Sequence, residues 1–211
     1  MKLCCISDTH CQLSTVREKI LNVDADLLAF CGDMTYSGSL QEVIKEMRIL
    51  GELSYRFKQG VIVIPGNHDR LSESEPSLFA SIAQENGLIY MHEKSVTIGG
   101  LHFYGSGWTP EFCNWAWGYP RELGQQIWEN IPDDTEVLLT HGPYKGILDN
   151  GGLGCYDLRQ RVGHLPKLRL HVFGHMHSSY GEVVQAGVRF VNASICNERY
   201  EPVNSPVVIE I

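Results

Sequence analysis

The sequence predicts a mixed α/β fold in which two β-sheets pack together and helices cover their outer faces. Two observations lead to this prediction. Short apolar runs alternate with amphipathic helical patterns from the beginning of the chain, and strands rich in β-branched and aromatic residues follow later. The chain has 211 residues, of which 43% are hydrophobic and 20% charged. This composition is typical of a globular protein with a sizeable core, and we expect a single domain over residues 1–211.

Five apolar runs bounded by Gly, Pro, Asp or Asn predict buried strands, at 3–6, 27–31, 61–64, 137–140 and 170–173. Amphipathic patterns predict helices, with Ser14 as the N-cap of the first, at 14–22, 39–57, 76–85, 121–129 and 156–162. Later runs predict a second group of strands, at 95–98, 101–104, 182–184, 188–191 and 207–211. The pairs Gly99-Gly100 and Ala186-Gly187 favour tight hairpin turns within this group.

Charge and cysteine content bear on the partners and the compartment. The formal net charge is −8, whereas a broad nucleic-acid-binding surface carries a basic excess. The seven cysteines are odd in number and form no C-x-x-C pair, which favours reduced, packed thiols over disulfides or a thiolate zinc site. The N-terminal apolar run is too short for a signal peptide, and no run reaches transmembrane length. We therefore expect a cytoplasmic protein without membrane contact.

Each of the five buried strands is followed directly by residues with carboxylate, imidazole or amide side chains. These residues are Asp8 and His10 after the first strand, Asp33 after the second, Asn67, His68 and Asp69 after the third, His141 after the fourth, and His175 and His177 after the fifth. In open α/β sheets, ligands bind at the carboxyl ends of the strands. If the strands are parallel, we expect these side chains to meet in one crevice.

These residue types match a metal site, because Asp, His and Asn supply oxygen and nitrogen donors. Asp8 and His10 are two positions apart on a segment that we expect to be extended, so both side chains should point to one side. Seven donors exceed the need of one ion, whereas two ions about 3.5–4 Å apart would use them all. Asp33 follows the central strand and is the expected bridge. Any one such motif alone is more often a turn or a buried structural residue, but five at five strand ends favour a metal centre.

The ordered motifs resemble those of the calcineurin-like metallophosphoesterase superfamily: Asp8-x-His10, Gly32-Asp33, Gly66-Asn67-His68-Asp69, His141-Gly142 and Gly174-His175-x-His177. Longer blocks narrow the resemblance to the metallophosphoesterase-domain (MPPED) family: TPEFCNWAW, THGPYKGILD, GCYDL, HVFGHMH and VNASICNERYEPVNSPVVIEI. The resemblance implies a four-layer α/β/β/α sandwich and a binuclear metal centre that hydrolyses phosphate esters. It also implies two ligand sets, Asp8, His10, Asp33 and His177 for one ion and Asp33, Asn67, His141 and His175 for the other.

By the same resemblance, we expect a phosphodiesterase that acts on small phosphodiesters such as cyclic nucleotides. Two divalent ions, with Mn²⁺ expected first and Fe, Zn, Ni, Co or Mg as alternatives, would lower the pKa of a bridging water and give a hydroxide nucleophile. His68 is the expected general acid for the leaving oxygen and does not ligate a metal. Asp69 is expected to hold the ring of His68.

Trp108 and Tyr144 are the aromatic residues expected to contact the substrate. The segment 103–119 carries three of the four tryptophans. This favours either a wall that stacks a nucleobase or a packed cluster under a long loop. The glycine-rich segment 149–154 is either a mobile lid or an ordinary surface loop.

Three other functions stay open as alternatives: a phosphomonoesterase or protein phosphatase, a nuclease, and a non-catalytic scaffold on the same fold. Protein phosphatases of the superfamily typically have Asp-Arg-Gly after their Gly-Asp motif, but here Gly32-Asp33 continues as Met34-Thr35. A DNA nuclease would need a basic groove. A scaffold would have no need of the complete donor set, so an active diesterase is the favoured interpretation.

Overall fold

Two β-sheets organise the computed structural model, which describes residues 1–211. The first half of the chain forms β1 (Lys2–Ile6), α1 (Leu13–Leu21), β2 (Leu27–Cys31), α2 (Leu40–Leu53), β3 (Val61–Ile64), α3 (Leu71–Ser74), α4 (Pro76–Glu85) and β4 (Ile89–Tyr90). The second half forms β5 (Lys94–Ile98), β6 (Leu101–Ser106), β7 (Thr109–Pro110), β8 (Gly118–Tyr119), α5 (Gly124–Trp128), β9 (Val137–Thr140), α6 (Tyr156–Val162), β10 (Leu170–Phe173), β11 (Gly181–Gln185), β12 (Val188–Asn192) and β13 (Val207–Glu210).

The strands pair in a way that collects their carboxyl ends at one edge. The first sheet has the order β13-β1-β2-β3-β4, in which β1 to β4 are parallel and β13 is antiparallel. The second sheet has the order β11-β12-β10-β9-β6-β5, with a parallel centre and antiparallel strands at both edges. The five predicted buried strands are confirmed, and each lies in the parallel part of its sheet.

Alternating side chains of the strands build three separate cores. In β1, Cys4 and Ile6 pack on the helices of the first sheet, while Leu3 and Cys5 point to the opposite sheet. This is the two-residue period of a strand that is buried on both faces. A third core packs the outer face of the second sheet against α5 and α6. The layers are therefore helix, sheet, sheet and helix, and the expected α/β/β/α sandwich is confirmed.

The start of α2 has a side-chain cap, whereas the start of α1 differs from the prediction. Ser39 caps α2, and it forms a capping box with Glu42. The predicted N-cap at Ser14 is wrong, because α1 already begins at Leu13 and the preceding Gln12 makes no side-chain cap. The predicted helix at 121–129 is shorter, because its first residues form a turn of 3₁₀ helix over Arg121–Leu123.

Both predicted hairpin turns are confirmed. The turn between β5 and β6 has positive φ at Gly99 (56°) and Gly100 (83°), and the turn between β11 and β12 has positive φ at Ala186 (50°) and Gly187 (80°). Two consecutive positive values match the right-handed twist of the flanking strands. None of the helices has the length and apolar character that crossing a bilayer requires.

Candidate metal centre

The structure brings all seven expected donors together where the two sheets meet at their carboxyl edges. Three groups have ligand atoms that lie within 4.8 Å of one another: Asp8, His10 and His177; Asp33, His141 and His175; and His10, Asp33 and His68, which shares a residue with each of the other two. The first two groups contain six of the seven expected donors. Asn67 joins the second group, because its Oδ1 lies 2.9 Å from Nε2 of His141. All of these side chains except those of His175 and His177 belong to buried residues. Donors that lie far apart in the sequence thus converge because the strands that carry them are parallel.

One carboxylate oxygen of Asp33 links the two groups. Its Oδ2 lies 3.2 Å from Nε2 of His141 and 3.9 Å from Nε2 of His10. Its Oδ1 accepts a hydrogen bond of 2.7 Å from the backbone N–H of His68. The position of the carboxylate is therefore fixed by one oxygen, while the other faces both groups.

Backbone carbonyls orient three of the imidazoles. Nδ1 of His10 lies 3.2 Å from the carbonyl of Thr35, that of His141 lies 2.9 Å from the carbonyl of Cys31, and that of His177 lies 3.0 Å from the carbonyl of Asn197. A carbonyl only accepts hydrogen bonds, so Nδ1 carries the proton in each ring. The Nε2 atoms point to the site, which is the arrangement of metal-ligating histidines.

The donor set fits metal cations. Nε2 of His10 lies only 3.2 Å from Nε2 of His177, so a proton or another cation must lie between them. Burial lowers the pKa of His141, but the Asp33 carboxylate outweighs burial and the net pKa is raised to about 9. Nε2 of His141 then holds a proton on the side of the donors, and metal binding would release that proton.

The electrostatics keep the carboxylates charged and two imidazoles neutral. Burial alone would raise the pKa of Asp8, but the hydrogen bond and charge of His177 outweigh it and hold the pKa well below the ordinary value. For Asp33, His141 outweighs burial in the same way. Burial lowers the pKa of His10 and of His175 to about 4. Ionised carboxylates and neutral imidazoles are the forms that bind metals.

Asp8 is held by groups that the sequence did not identify. Its two oxygens accept from the backbone N–H of His175 at 3.0 and 2.9 Å. The hydroxyl of Ser194 donates to Oδ2 at 2.8 Å. Ser194 follows the end of β12, which carries no predicted donor. The parallel pairing of β12 with β10, together with a parallel bridge between Ser194 and Ser7 after β1, brings this hydroxyl to the site.

The backbone at Asp8 and His10 is not extended, so the prediction that these two side chains converge by alternation along an extended segment is wrong. Asp8 (φ 53°), His10 (φ 42°), Asp33 (φ 57°) and His175 (φ 65°) are all in the left-handed region. Such conformations cost about 1–3 kcal/mol each and concentrate at functional sites. Sharp turns after the strand ends, rather than alternation along a strand, direct these donors to one place.

Two glycines leave room for the carboxylates. A Cβ atom at Gly66 would overlap the Oδ1 atom and the backbone nitrogen of Asp33. A Cβ atom at Gly174 would overlap the carboxylate of Asp8 and the hydroxyl of Ser7. Real Cβ atoms do not approach other atoms this closely, so glycine is required at both positions for the carboxylates to keep their places.

The expected pairing of Asp69 with the ring of His68 is wrong. Nδ1 of His68 donates instead to the carbonyl of Tyr36 at 2.6 Å. The buried carboxylate of Asp69 accepts from backbone N–H groups of Asp33, Thr35 and Gly66 at 2.9, 3.0 and 2.9 Å, and from the hydroxyl of Thr35 at 2.7 Å. Asp69 therefore joins the loops that follow β2 and β3. The pairing of Asp69 with the His68 ring that the resemblance implies is absent, because both carboxylate oxygens are bonded to these loops.

Trp108 and Tyr144, which are expected to contact the substrate, do not line the two cavities beside the donors. Trp108 packs edge-on against Trp117, with ring centroids 5.2 Å apart. Tyr144 is 5% exposed and packs against Phe190 on the outer face of the second sheet. Of the two interpretations of the segment 103–119, the packed cluster is the one that describes Trp108.

Aromatic residues other than Trp108 and Tyr144 lie around His68. The ring of Trp115 stacks on the ring of His68 at 4.1 Å and 24°, and the guanidinium of Arg70 lies 4.4 Å from the centre of the Trp115 ring on which it stacks. Tyr200 lies edge-on to His10 at 4.7 Å. The backbone N–H of Ala116 donates to the carbonyl of Asn67 at 3.2 Å, which docks this loop on the donor segment. The imidazole of His68 and the guanidinium of Arg70 thus both pack on the indole of Trp115.

A cavity of about 200 Å³ opens directly above the donors. Its wall includes the donors Asp33 and Asn67, together with His68, Phe112 and Tyr200. Ligand pockets for drug-sized molecules are about 300–1,000 Å³ in volume. This cavity is smaller than that range, and its volume suits a small polar group in contact with the donors. Together, fold and site define a four-layer α/β/β/α protein with two adjoining candidate metal-ligand clusters.

Comparisons with known proteins agree with this class. The model of the family described as calcineurin-like phosphoesterase matches residues 1–179. Metallophosphoesterase domain-containing protein 1 of Homo sapiens is 35% identical over 237 residues, which cover 98% of this chain and 70% of the human protein. The chain therefore belongs to the calcineurin-like phosphoesterase family, whose members are metal-dependent phosphoesterases.

Two further matches extend the comparison. A probable cyclic nucleotide phosphodiesterase of Ruthia magnifica is 34% identical over 62 residues, which cover 29% of this chain and 25% of that protein. The structure of phosphopantetheinyl hydrolase from Mycobacterium tuberculosis has a TM-score of 0.61 at 17% identity, and the match covers 98% of this chain and 95% of the other. At this identity, the structural match is a likeness in fold.

Proposed function

We propose that this protein is a binuclear phosphodiesterase that acts on small phosphodiesters such as cyclic nucleotides. One observation carries the proposal: a single oxygen of Asp33 faces both donor groups, 3.9 Å from Nε2 of His10 and 3.2 Å from Nε2 of His141. A carboxylate shared in this way suits two metal ions that act together on one phosphate. The proposed metal is Mn²⁺, with Fe, Zn, Ni, Co and Mg as alternatives that the same donors accept.

The proposed ligands divide between the two ions as the donor groups do. Asp8, His10, Asp33 and His177 would hold one ion, and Asp33, Asn67, His141 and His175 would hold the other. When bound, the ions supply an activated water and neutralise charge on the phosphate. Asn67 is a neutral ligand, so the site keeps more positive charge for an anionic substrate than a third carboxylate would leave.

His68 is the proposed general acid. One of its ring nitrogens lies within 4.8 Å of donor atoms of His10 and Asp33, so it borders the place where phosphate would bind. Its Nδ1–H donates to the carbonyl of Tyr36 and the ring is stacked on Trp115, so its orientation is fixed. A histidine in a fixed position beside the leaving oxygen can donate a proton from Nε2 as the bond to phosphorus breaks. Tyr36 thus has the orienting role that was expected of Asp69.

Three observations favour a small diester over the competing substrates. The cavity above the donors, of about 200 Å³, suits a small ester better than a folded protein surface. The net charge of −8 disfavours an extended nucleic-acid substrate. The match to a probable cyclic nucleotide phosphodiesterase includes only 62 residues, but it points to the same substrate class. The complete donor set argues against a non-catalytic scaffold.

The direct test compares substrate classes under identical conditions. The Mn²⁺-loaded protein would be assayed with p-nitrophenyl phosphate, bis(p-nitrophenyl) phosphate and the 2′,3′- and 3′,5′-cyclic nucleotides, with chelator-treated protein as the control. We expect metal-dependent hydrolysis of the diesters with a higher kcat/KM than that of the monoester. Hydrolysis of the monoester alone would overturn the diesterase proposal, and absence of any turnover would favour a scaffold.

A further inference from the structure

A second cavity, of about 260 Å³, adjoins the one above the donors. The two cavities share Phe112, His175 and Met176 in their walls, so they lie side by side. His68 lines the cavity above the donors but not the second one. The second cavity therefore lies on the His175 side of the donors, away from the proposed general acid.

The walls of this second cavity are mainly apolar. Pro110, Phe112, Pro143, Leu153 and Met176 supply apolar surface. Phe112 is 60% exposed and Leu153 is 53% exposed, so neither side chain is covered by the rest of the chain. Exposed apolar side chains grouped around a concave surface are typical of a ligand site.

The charged residues of the cavity indicate which kind of group it accepts. Glu111 and Arg121 both line it, and their charges have opposite signs. A strongly anionic or cationic group would gain from one of them and lose from the other. An aromatic ring without charge would instead gain contact area with Phe112 and with the flat faces of the prolines. The volume, below the range of about 300–1,000 Å³ for drug-sized ligands, matches one ring system.

A phosphodiester has two organic groups, and two adjoining cavities lie beside the donors. His68 lies against His10, with ring centroids 4.7 Å apart, whereas Phe112 lies edge-on to His175 at 6.5 Å. In hydrolysis, a water oxygen bonds to phosphorus, the bond from phosphorus to the leaving oxygen breaks, and that oxygen takes a proton. In-line displacement places the leaving oxygen near the acid, so the other ester group must lie elsewhere.

We propose that the cavity bounded by Phe112 and Leu153 binds the ester group that stays on the phosphate, and that this group is a neutral aromatic one such as an aryl ring or a nucleobase. The inference rests on the proposed diesterase function and specifies its substrate class. The bond between phosphate and the retained group is not broken, so the same cavity also binds the monoester product. For a cyclic nucleotide, whose two ester oxygens belong to one ribose, the base would occupy the cavity.

The test keeps the leaving group constant and varies only the retained group. Methyl p-nitrophenyl phosphate and phenyl p-nitrophenyl phosphate both release p-nitrophenolate, and the ratio of their kcat/KM values isolates the retained group. We expect Phe112→Ala to lower the ratio of phenyl to methyl about three- to tenfold, and Leu153→Ala to lower it in the same direction. The control is Tyr55→Ala, which removes an aromatic side chain that is 74% exposed and lies outside both cavities. A ratio that stays unchanged in both cavity variants, or that falls equally in the control, would overturn the assignment.

A binding measurement separates this inference from the proposed function. Calorimetry on the Mn²⁺-loaded protein would compare phenyl phosphate with methyl phosphate, which represent retained products with and without the ring. We expect tighter binding of phenyl phosphate, and loss of most of that preference in Phe112→Ala. If no diester is hydrolysed, the diesterase proposal fails while this comparison still decides the role of the cavity. Equal affinity for the two monoesters would refute it.

Discussion

The Oδ2 atom of Asp33 lies 3.2 Å from Nε2 of His141, and the Oδ1 atom of the same carboxylate accepts from the backbone N–H of His68. The Asp33 carboxylate therefore contacts two segments. His141 follows β9 in the second sheet, and His68 follows β3 in the first. Both sheets contribute to the donor set through this one side chain. Neutralising Asp33 should therefore weaken metal binding by both donor groups.

Asp33→Asn should weaken both proposed metal sites. Asparagine keeps the shape and can still accept the N–H of His68, but its side chain is neutral and bridges metal ions poorly. We expect the wild type to bind two Mn²⁺ ions per chain and the variant to bind at most one, as measured by calorimetry or elemental analysis. Asp24→Asn, in which a carboxylate that is 90% exposed is neutralised, is the control and should retain both ions. Two ions bound to Asp33→Asn with wild-type affinity would contradict the bridging role.

His68→Ala should retain metal and lose turnover in a way that depends on the leaving group. General acid catalysis contributes about 10²- to 10⁴-fold, and its contribution is greatest when the leaving alkoxide is a strong base. We therefore expect a large loss of kcat for alkyl leaving groups and a smaller loss for p-nitrophenolate, which departs without a proton. The control is His102→Ala. This histidine has a half-exposed side chain and lies near the start of β6, whereas the donors lie at the carboxyl ends of the strands. An equal loss for both leaving groups would argue for a structural role of His68.

Asp69→Asn should act through stability. The carboxylate accepts from the backbone of residues 33–35 and from Gly66. An amide group would turn an N–H₂ toward some of these donors, at a cost on the order of 3 kcal/mol for the lost charge-assisted bonds. Urea unfolding of the metal-free protein would show this loss, and Asp134→Asn, an exposed neutralisation, should show almost none. If Asp69 instead held the ring of His68, kcat would fall while the free energy of unfolding stayed near that of the wild type.

The strands and the donor residues could be predicted because their signals are local. An apolar run such as Val61–Ile64 is recognisable in isolation, and the polar residues that follow it are adjacent in sequence. Parallel pairing then brings the strand ends of each sheet together, and the packing of the two sheets brings their carboxyl edges to one place. The same logic explains why the sequence indicates the seven residues that the structure brings together but not Ser194, since the end of β12 has no charged residue or imidazole.

The partners of His68 and the aromatic walls could not be predicted, because their contacts depend on loop geometry. The carbonyl of Tyr36 reaches Nδ1 of His68 across 32 positions in sequence, and no side-chain pattern marks a carbonyl. Within the aromatic segment, Trp115 stacks on His68 and Trp108 packs into the molecule. Both tryptophans lie outside the neighbouring strands β7 and β8, which have only two residues each and whose pairing has no signal in composition.

Gly174→Ala should damage the metal centre without changing any donor. The added methyl group would overlap the carboxylate of Asp8, which must then move away from the N–H of His175 and the hydroxyl of Ser194. Disturbing the groups that orient a metal ligand typically weakens metal binding about 10- to 100-fold. Calorimetric titration with Mn²⁺ should show this loss for the site that contains Asp8.

The matched control for Gly174→Ala is Gly163→Ala, at the end of α6. A Cβ atom there meets no atom closer than 3.4 Å, and φ is −63°, so alanine fits without strain. Its affinity for Mn²⁺ should equal that of the wild type, and its melting temperature should not fall. Wild-type metal affinity in Gly174→Ala would mean that Asp8 can shift without leaving the donor set, and the close fit between Gly174 and this carboxylate would then have no part in metal binding.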